Sequence, residues 1–222
     1  MFFDRIYPIF AYCTAATVFI PLILLLQRAK AAWNDPLHRV ILLYLVTCVI
    51  AEAGYFFSRH FIFLNDAVDI CYSIAQFFLI TEIILRLNVH ETTDRTVIVL
   101  GRIFVTCGTL TLLLFIGSGL ASLFYNGFSG CFFVALAIRV YYLLMVKEET
   151  LDETNLWNSE PFLVITAVML FFSSTFFVLL YDSLTQSSST IARVNWSILL
   201  AVTIVFYLLI SRAVWLKNQT LS

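Results

Sequence analysis

The sequence predicts an all-α, polytopic membrane protein: a single domain over residues 1–222, built as a seven-transmembrane-helix bundle. Three observations lead there. Hydrophobic residues make up 61% of the chain and charged residues 12%, with a mean hydropathy of +0.95. A soluble domain of this size needs roughly a quarter of its residues charged. Apolar runs of about 20 residues recur along the whole chain, each long enough to cross a hydrocarbon core of about 30 Å. Finally, Lys and Arg alternate in density from one link to the next, which sets the orientation.

The first span is placed at Ile6–Leu26. Asp4 offsets Arg5 before it, and Gln27, Arg28 and Lys30 follow like a stop-transfer flank. A retained helix is therefore expected rather than a cleaved signal segment. The second span runs from Val40 to Phe57 and the third from Ala67 to Leu87. The fourth covers Val97–Ile116 and the fifth Leu123–Val146, with Gly117, Gly119, Gly127 and Gly130 blurring their boundary. The sixth covers Pro161–Leu184, with proline in the first turn where its missing N–H costs nothing. The seventh runs from Val194 to Trp215.

Arg28, Lys30, Arg39, Arg86, Arg95, Lys147, Arg212 and Lys217 fall on one side of these spans; Arg5, Arg59 and Arg193 fall on the other. The N-terminus is thus expected outside and the C-terminus in the cytoplasm, as for a multi-pass protein of a cell inner membrane. Tyr7, Trp33, Tyr125, Trp157, Tyr181, Trp196 and Trp215 lie near span ends, where aromatic rings anchor at headgroup level. Cys71-Tyr72-Ser73-Ile74 and Asn195-Trp196-Ser197-Ile198 sit at similar depth in spans three and seven. That echo would suit two three-helix repeats joined by a linker helix.

The groups that could carry chemistry concentrate in Val40–Arg86. Glu52 lies well inside an apolar run, and a carboxylate there is costly unless it faces a bundle interior or a water-filled cavity. Cys48, Glu52, Tyr55 and Arg59 share one helical face; Asp69, Tyr72, Ser73 and Gln76 share another. A short link makes the two helices antiparallel neighbours. Their polar faces are expected to meet, with Arg59, His60, Asn65 and Asp66 at the mouth and Tyr181, Asp182, Asn195 and Ser197 completing an outward-facing cavity. The candidate ligand-binding residues are Glu52, Tyr55, Asp69, Tyr72, Gln76, Tyr181, Asp182 and Asn195. Glu52 would be the central acid or acceptor; alternatively it ties its helix to a neighbour's hydroxyl, as membrane bundles commonly do.

A second group, Glu82, Arg86, Arg102 and Arg139, lies in the cytoplasmic half. Glu82 and Arg86 are four residues apart and can pair locally, and a Glu82 bridge to Arg102 or Arg139 would lock helices together. Ser173, Ser174 and Thr175 in the sixth span fit close helix packing.

Other classes find no support. The net charge of −1 gives no footprint for nucleic acid. The five cysteines all lie in apolar segments without a CxxC pair, as small hydrophobes do. No catalytic residue, metal site or cofactor is assigned: the three lysines lie outside the spans, His38, His60 and His90 sit at segment ends, and no phosphate-binding loop is present.

The segments LLYLVTCVIAEAGYF, AVDICYSIAQFFLITEIIL and IRVYYLLMVKEE…NLWNSEPFLVITAVMLFFSSTFF resemble a group of roughly 220-residue seven-span bacterial proteins common in Bacteroidota. The chain departs from that pattern at Phe162-Leu163, where the group usually has Phe-Trp. The resemblance implies a seven-helix membrane fold and a signalling or sensory setting. The expected function is binding of a small ligand or ion in the intramembrane cavity, coupled to a cytoplasmic or membrane signalling partner. A small-solute or proton-coupled transporter is the alternative, and a membrane-embedded lipid hydrolase using Glu52 and Asp69 is third.

Overall fold

The computed structural model describes Ile9 and residues 12–27, 33–58, 62–87, 92–115, 118–147, 159–185 and 189–220. Within them the chain is all-helical. The helices are α1 (Tyr12–Leu26), α2 (Pro36–Ser58), α3 (Ile62–Arg86), α4 (Thr92–Phe115), α5 (Ser118–Lys147), α6 (Glu160–Thr185) and α7 (Ser189–Thr220). Six of them, α2 to α7, are long and apolar enough to cross a membrane, and the protein is a multi-pass membrane protein on that ground. α1 is apolar but shorter over its described length.

Local sequence accounts for the helix ends and one irregularity. Asp35 caps α2, its carboxylate accepting from Leu37 N–H at 2.9 Å and His38 N–H at 3.3 Å, with Pro36 as first helical residue. Ser159 caps α6 in the same manner, accepting from Phe162 N–H at 3.3 Å. α1 loosens into a turn at Val18. Pro21, three residues on, has no N–H to return to the Thr17 carbonyl.

The chain packs as two compact units: residues 28–132, and residues 1–27 together with 133–222. The division falls inside α5 and cuts across the three-plus-three grouping that the Cys71–Ile74 and Asn195–Ile198 echo suggests.

In the first unit α2 and α3 form an antiparallel pair. Tyr55 meets Asp69, Cys48 meets Tyr72 and Tyr44 meets Gln76, so one chain number falls as the other rises. Near their connection the two helices approach closely: a Cβ on Gly54 would sit 3.1 Å from Val68 Cγ1. α4 packs against the N-terminal half of α5 through a phenylalanine ladder. Phe124, Phe128 and Phe132 follow one another up α5 with centroids 6.1 and 5.7 Å apart, and Phe104 of α4 lies 4.9 Å from Phe128. Gly101 and Gly108, seven residues apart on α4, give Phe132 and Phe124 direct access to the helix backbone: a Cβ there would meet those rings at 2.7 and 2.5 Å. Phe77 of α3 joins the ladder 5.2 Å from Phe132.

In the second unit the C-terminal half of α5 runs antiparallel to α6, pairing Phe133 with Phe172 at 4.2 Å and Tyr141 with Phe162 at 5.5 Å. Tyr141 and Thr166 hydroxyls hydrogen-bond at 2.6 Å. α6 packs on α7 through Phe171 and Phe206, 5.4 Å apart. α1 leans on α7, where Thr14 Oγ1 donates to the Leu200 carbonyl at 3.3 Å. The outward surfaces are apolar, with Ile50, Met145 and Phe177 exposed. In a bilayer such faces meet acyl chains while every helix satisfies its own backbone.

Candidate functional site

The α2–α3 hairpin holds a column of polar side chains in its seam. At the connected end Tyr55 Oη donates to Asp69 Oδ1 at 2.9 Å. One step further in, Tyr72 Oη lies 3.6 Å from Cys48 Sγ. Deeper still, Gln76 Nε2 donates to Tyr44 Oη, and Gln76 Oε1 accepts from Tyr125 Oη of α5, both at 3.5 Å. Tyr44 and Tyr125 are each 2% exposed and Gln76 is 6% exposed, so the deep end is dry. Helical spacing produces the column: 44, 48 and 55 fall on one face of α2, and 69, 72 and 76 on one face of α3. From Tyr44 to Tyr55 it runs roughly 16 Å, at 1.5 Å per residue.

Both ends are defined by neighbours on the same faces. Past Gln76, α3 continues with Ile80, Ile83 and Leu87, and past Tyr44, α2 continues with Ile41 and Leu37; all five are buried. The column therefore stops against an apolar plug. At the other end Ile41, Leu45, Cys48 and Glu52 form one stripe of α2, whose first three members are buried. Glu52 is exposed. The buried part of the stripe ends there.

Of the residues the sequence singles out, the hairpin brings together Tyr55, Asp69, Tyr72 and Gln76. Glu52 shares their helix pair and makes no hydrogen bond or ion pair with a described residue. Tyr181 is exposed, and Asn195 is partly buried in the α6–α7 unit. The Asp182 side chain and the expected mouth residues Arg59, His60, Asn65 and Asp66 lie outside the described side chains.

Two members of the column are additions. Tyr44 lies in a plain apolar run. Tyr125 has the position of a headgroup anchor in the sequence, and the structure corrects that reading: its ring is buried and its hydroxyl belongs to the column. Its signal was the neighbouring Asn126 and Ser129, which mark a polar patch on α5.

The second cluster sits at the opposite end of α3. Glu82 pairs with Arg86 at 2.7 Å and with Arg102 of α4 at 3.1 Å. Arg102 also donates through Nε to Thr81 Oγ1 at 2.8 Å and through Nη2 to the Phe78 carbonyl at 3.2 Å. Its guanidinium carbon lies 5.2 Å from the Phe78 ring centre. Arg139 is placed in the other unit, 5.8 Å over the Tyr142 ring.

Chemically, the column offers hydroxyl donors, one amide and one carboxylate, running from the partly buried Tyr55–Asp69 pair to the buried Tyr44–Gln76–Tyr125 group. That is suited to holding a polar or cationic group. Among the described residues no group of three or more His, Cys, Asp or Glu side chains is placed to hold a metal ion.

Comparison of the chain with protein-family models, with curated proteins and with solved structures gives no match.

Proposed function

We propose that the protein is a seven-span receptor of a bacterial inner membrane, N-terminus outside and C-terminus in the cytoplasm. It binds a small ligand or ion in the α2–α3 polar column. In this reading α1 counts among the seven spans, and the connected end of the hairpin faces outward. The observation that carries the reading is the course of the column. It begins at the exposed Glu52, deepens through Asp69, Tyr55, Tyr72 and Cys48, and ends at Gln76 against Ile80 and Ile83.

A dead end favours sensing over transport, because a solute entering from one side meets an apolar plug. α3 supplies Asp69, Tyr72 and Gln76 at one end and Glu82 at the other, so a shift of α3 on binding is passed to α4 through Arg102. A cytoplasmic or membrane partner reading the α3–α4 end would complete the signal.

Native mass spectrometry of the protein released from its own membrane tests this. A non-protein mass should accompany the wild type and be lost from the E52Q/D69N variant, with thermal melting showing that both are folded. No added mass, or the same mass on both, overturns the proposal.

A further inference from the structure

A hydroxyl inside an apolar helix commonly returns to its own backbone. Thr47, Thr81, Thr175 and Thr203 do so, each donating to the carbonyl four residues back at 2.8 or 2.9 Å. Thr106 and Thr109 of α4 do not. Both of their oxygens are buried, and neither has a hydrogen-bond partner among the described residues. Thr109 is 0% exposed, and Val105 and Ile98 on the same side of α4 are buried as well. An unpaired hydroxyl at such a place is costly, above all where the surroundings are lipid. With Arg102 the two threonines form one stripe of α4, by i, i+4 and i+7 spacing.

Contacts with the neighbouring helices fix the depth of this stripe. α4 runs against α5, since Phe104 meets Phe128 and Gly108 meets Phe124. α3 runs with α5, Gln76 meeting Tyr125 and Phe77 meeting Phe132. α3 and α4 are therefore antiparallel, joined where Arg102 Nε donates to Thr81 Oγ1 at 2.8 Å. From that bond Gln76 lies roughly 7.5 Å along α3, and Thr106 and Thr109 lie roughly 6 and 10 Å along α4, at 1.5 Å per residue. The unpaired hydroxyls thus stand at the depth of the Gln76–Tyr125 pair, whose own bond is long at 3.5 Å.

We infer that Thr106 and Thr109 hold a buried water between α3, α4 and α5, bonded also to the Gln76–Tyr125 pair. Residues three apart on a helix have Cβ atoms about 5–6 Å apart, a gap that one water spans with two ordinary hydrogen bonds. Buried waters make about three such bonds, and the Gln76 carbonyl, with a second lone pair, supplies the third. Glu82 already neutralises Arg102 on the same stripe, which leaves the guest neutral. Such a water joins the deep end of the column to α4, so that α4 is tied to α3 at this depth as well as at Arg102. The site does not depend on the column binding a ligand.

Valine has the shape of threonine without the hydroxyl, so substitution gives opposite signs for a wet and a dry seam. In SDS titration Thr109→Val should lower the folding equilibrium constant about fivefold, the effect of one net hydrogen bond. T106V/T109V should lose about as much as either single variant, because both hydroxyls serve one water. Thr47→Val, whose hydroxyl is bonded only to its own helix, should be nearly neutral. A dry seam would make Thr109→Val as stable as the wild type or more so, and that result overturns the inference. X-ray radiolytic labelling of the wild type in nanodiscs reads the water itself, since radicals formed from a bound water oxidise the side chains beside it. Phe77, next to Gln76 on α3, and Phe133 are each 0% exposed. Phe77 should be oxidised and Phe133 spared, and T106V/T109V should spare both. An unlabelled Phe77 in the wild type overturns the inference even if Thr109→Val is destabilising, because the hydroxyl then bonds directly to protein. Equal labelling of Phe77 in wild type and double variant overturns it too. The wild-type measurement decides alone if the valine variants do not fold.

Discussion

The Tyr55 hydroxyl donates to the Asp69 carboxylate at 2.9 Å, pinning α2 to α3 close to their connection. Asp69 is partly buried, so the bond is neither freely replaced by water nor fully desolvated. Tyr55→Phe should cost about 1 kcal/mol, the usual net value for such a bond. D69N should cost a similar amount. The double variant should cost less than the sum, with a coupling of about 0.5–1.5 kcal/mol. SDS titration in mixed micelles reads all three, and strict additivity would show that the two groups do not interact.

The seam between these helices was largely legible beforehand. Tyr55, Asp69, Tyr72 and Gln76 announce themselves because a polar residue at i, i+3 and i+7 in an apolar run has one face to share. Tyr44 and Tyr125 do not. A lone tyrosine near a span end reads equally well as an anchor in the headgroup layer, and only a partner on another helix reveals which it is. Glu52 shows the converse limit. Periodicity places it on the stripe of Cys48, but not where the covering side chains stop. Glu82 could have bridged to Arg102 or Arg139, and the choice depends on how helices are rotated about their axes, which spacing within one helix leaves open.

Arg102 uses the geometry of its guanidinium, with Nε on Thr81 and Nη2 on both Glu82 and the Phe78 carbonyl. Lysine carries the charge but not the fork. Arg102→Lys should therefore lose about 1–2 kcal/mol despite keeping an ion pair, and Arg102→Ala about 2–3 kcal/mol. Glu82 retains Arg86, which limits the loss in either case. Equal stability of Arg102→Lys and the wild type would reduce the cluster to a point-charge interaction.

The phenylalanine ladder sets a steric test. Gly108→Ala would place a methyl group 2.5 Å from the Phe124 ring, and Gly101→Ala would place one 2.7 Å from Phe132. Each ring packs among others, so relief needs repacking, at about 1–3 kcal/mol. Gly127 lies in α5 with nothing within 4 Å of its would-be Cβ, and Gly127→Ala should stabilise by about 0.5–1 kcal/mol through helix propensity. A smaller ring partner makes the cause visible: adding Phe124→Leu to Gly108→Ala should recover part of the loss. If Gly108→Ala is as benign as Gly127→Ala, α4 and α5 are not held together by that contact.

Glu52 and Gln76 mark the two ends of the column and should respond oppositely to substitution. Glu52 is exposed and makes no bond to a described residue, so Glu52→Gln should change stability by less than about 0.5 kcal/mol. Gln76 is buried, donating to Tyr44 and accepting from Tyr125. Gln76→Leu removes an acceptor from one buried hydroxyl and a donor from another, and should cost about 1–3 kcal/mol. Both bonds are long at 3.5 Å, which argues for the lower part of that range. Ligand response separates the roles further. Glu52→Gln should weaken ligand binding without touching the melting temperature of the empty protein; Gln76→Leu should lower that temperature first. A large stability loss from Glu52→Gln would mean that the acid holds the bundle together, and its assignment to the mouth of the site would fall.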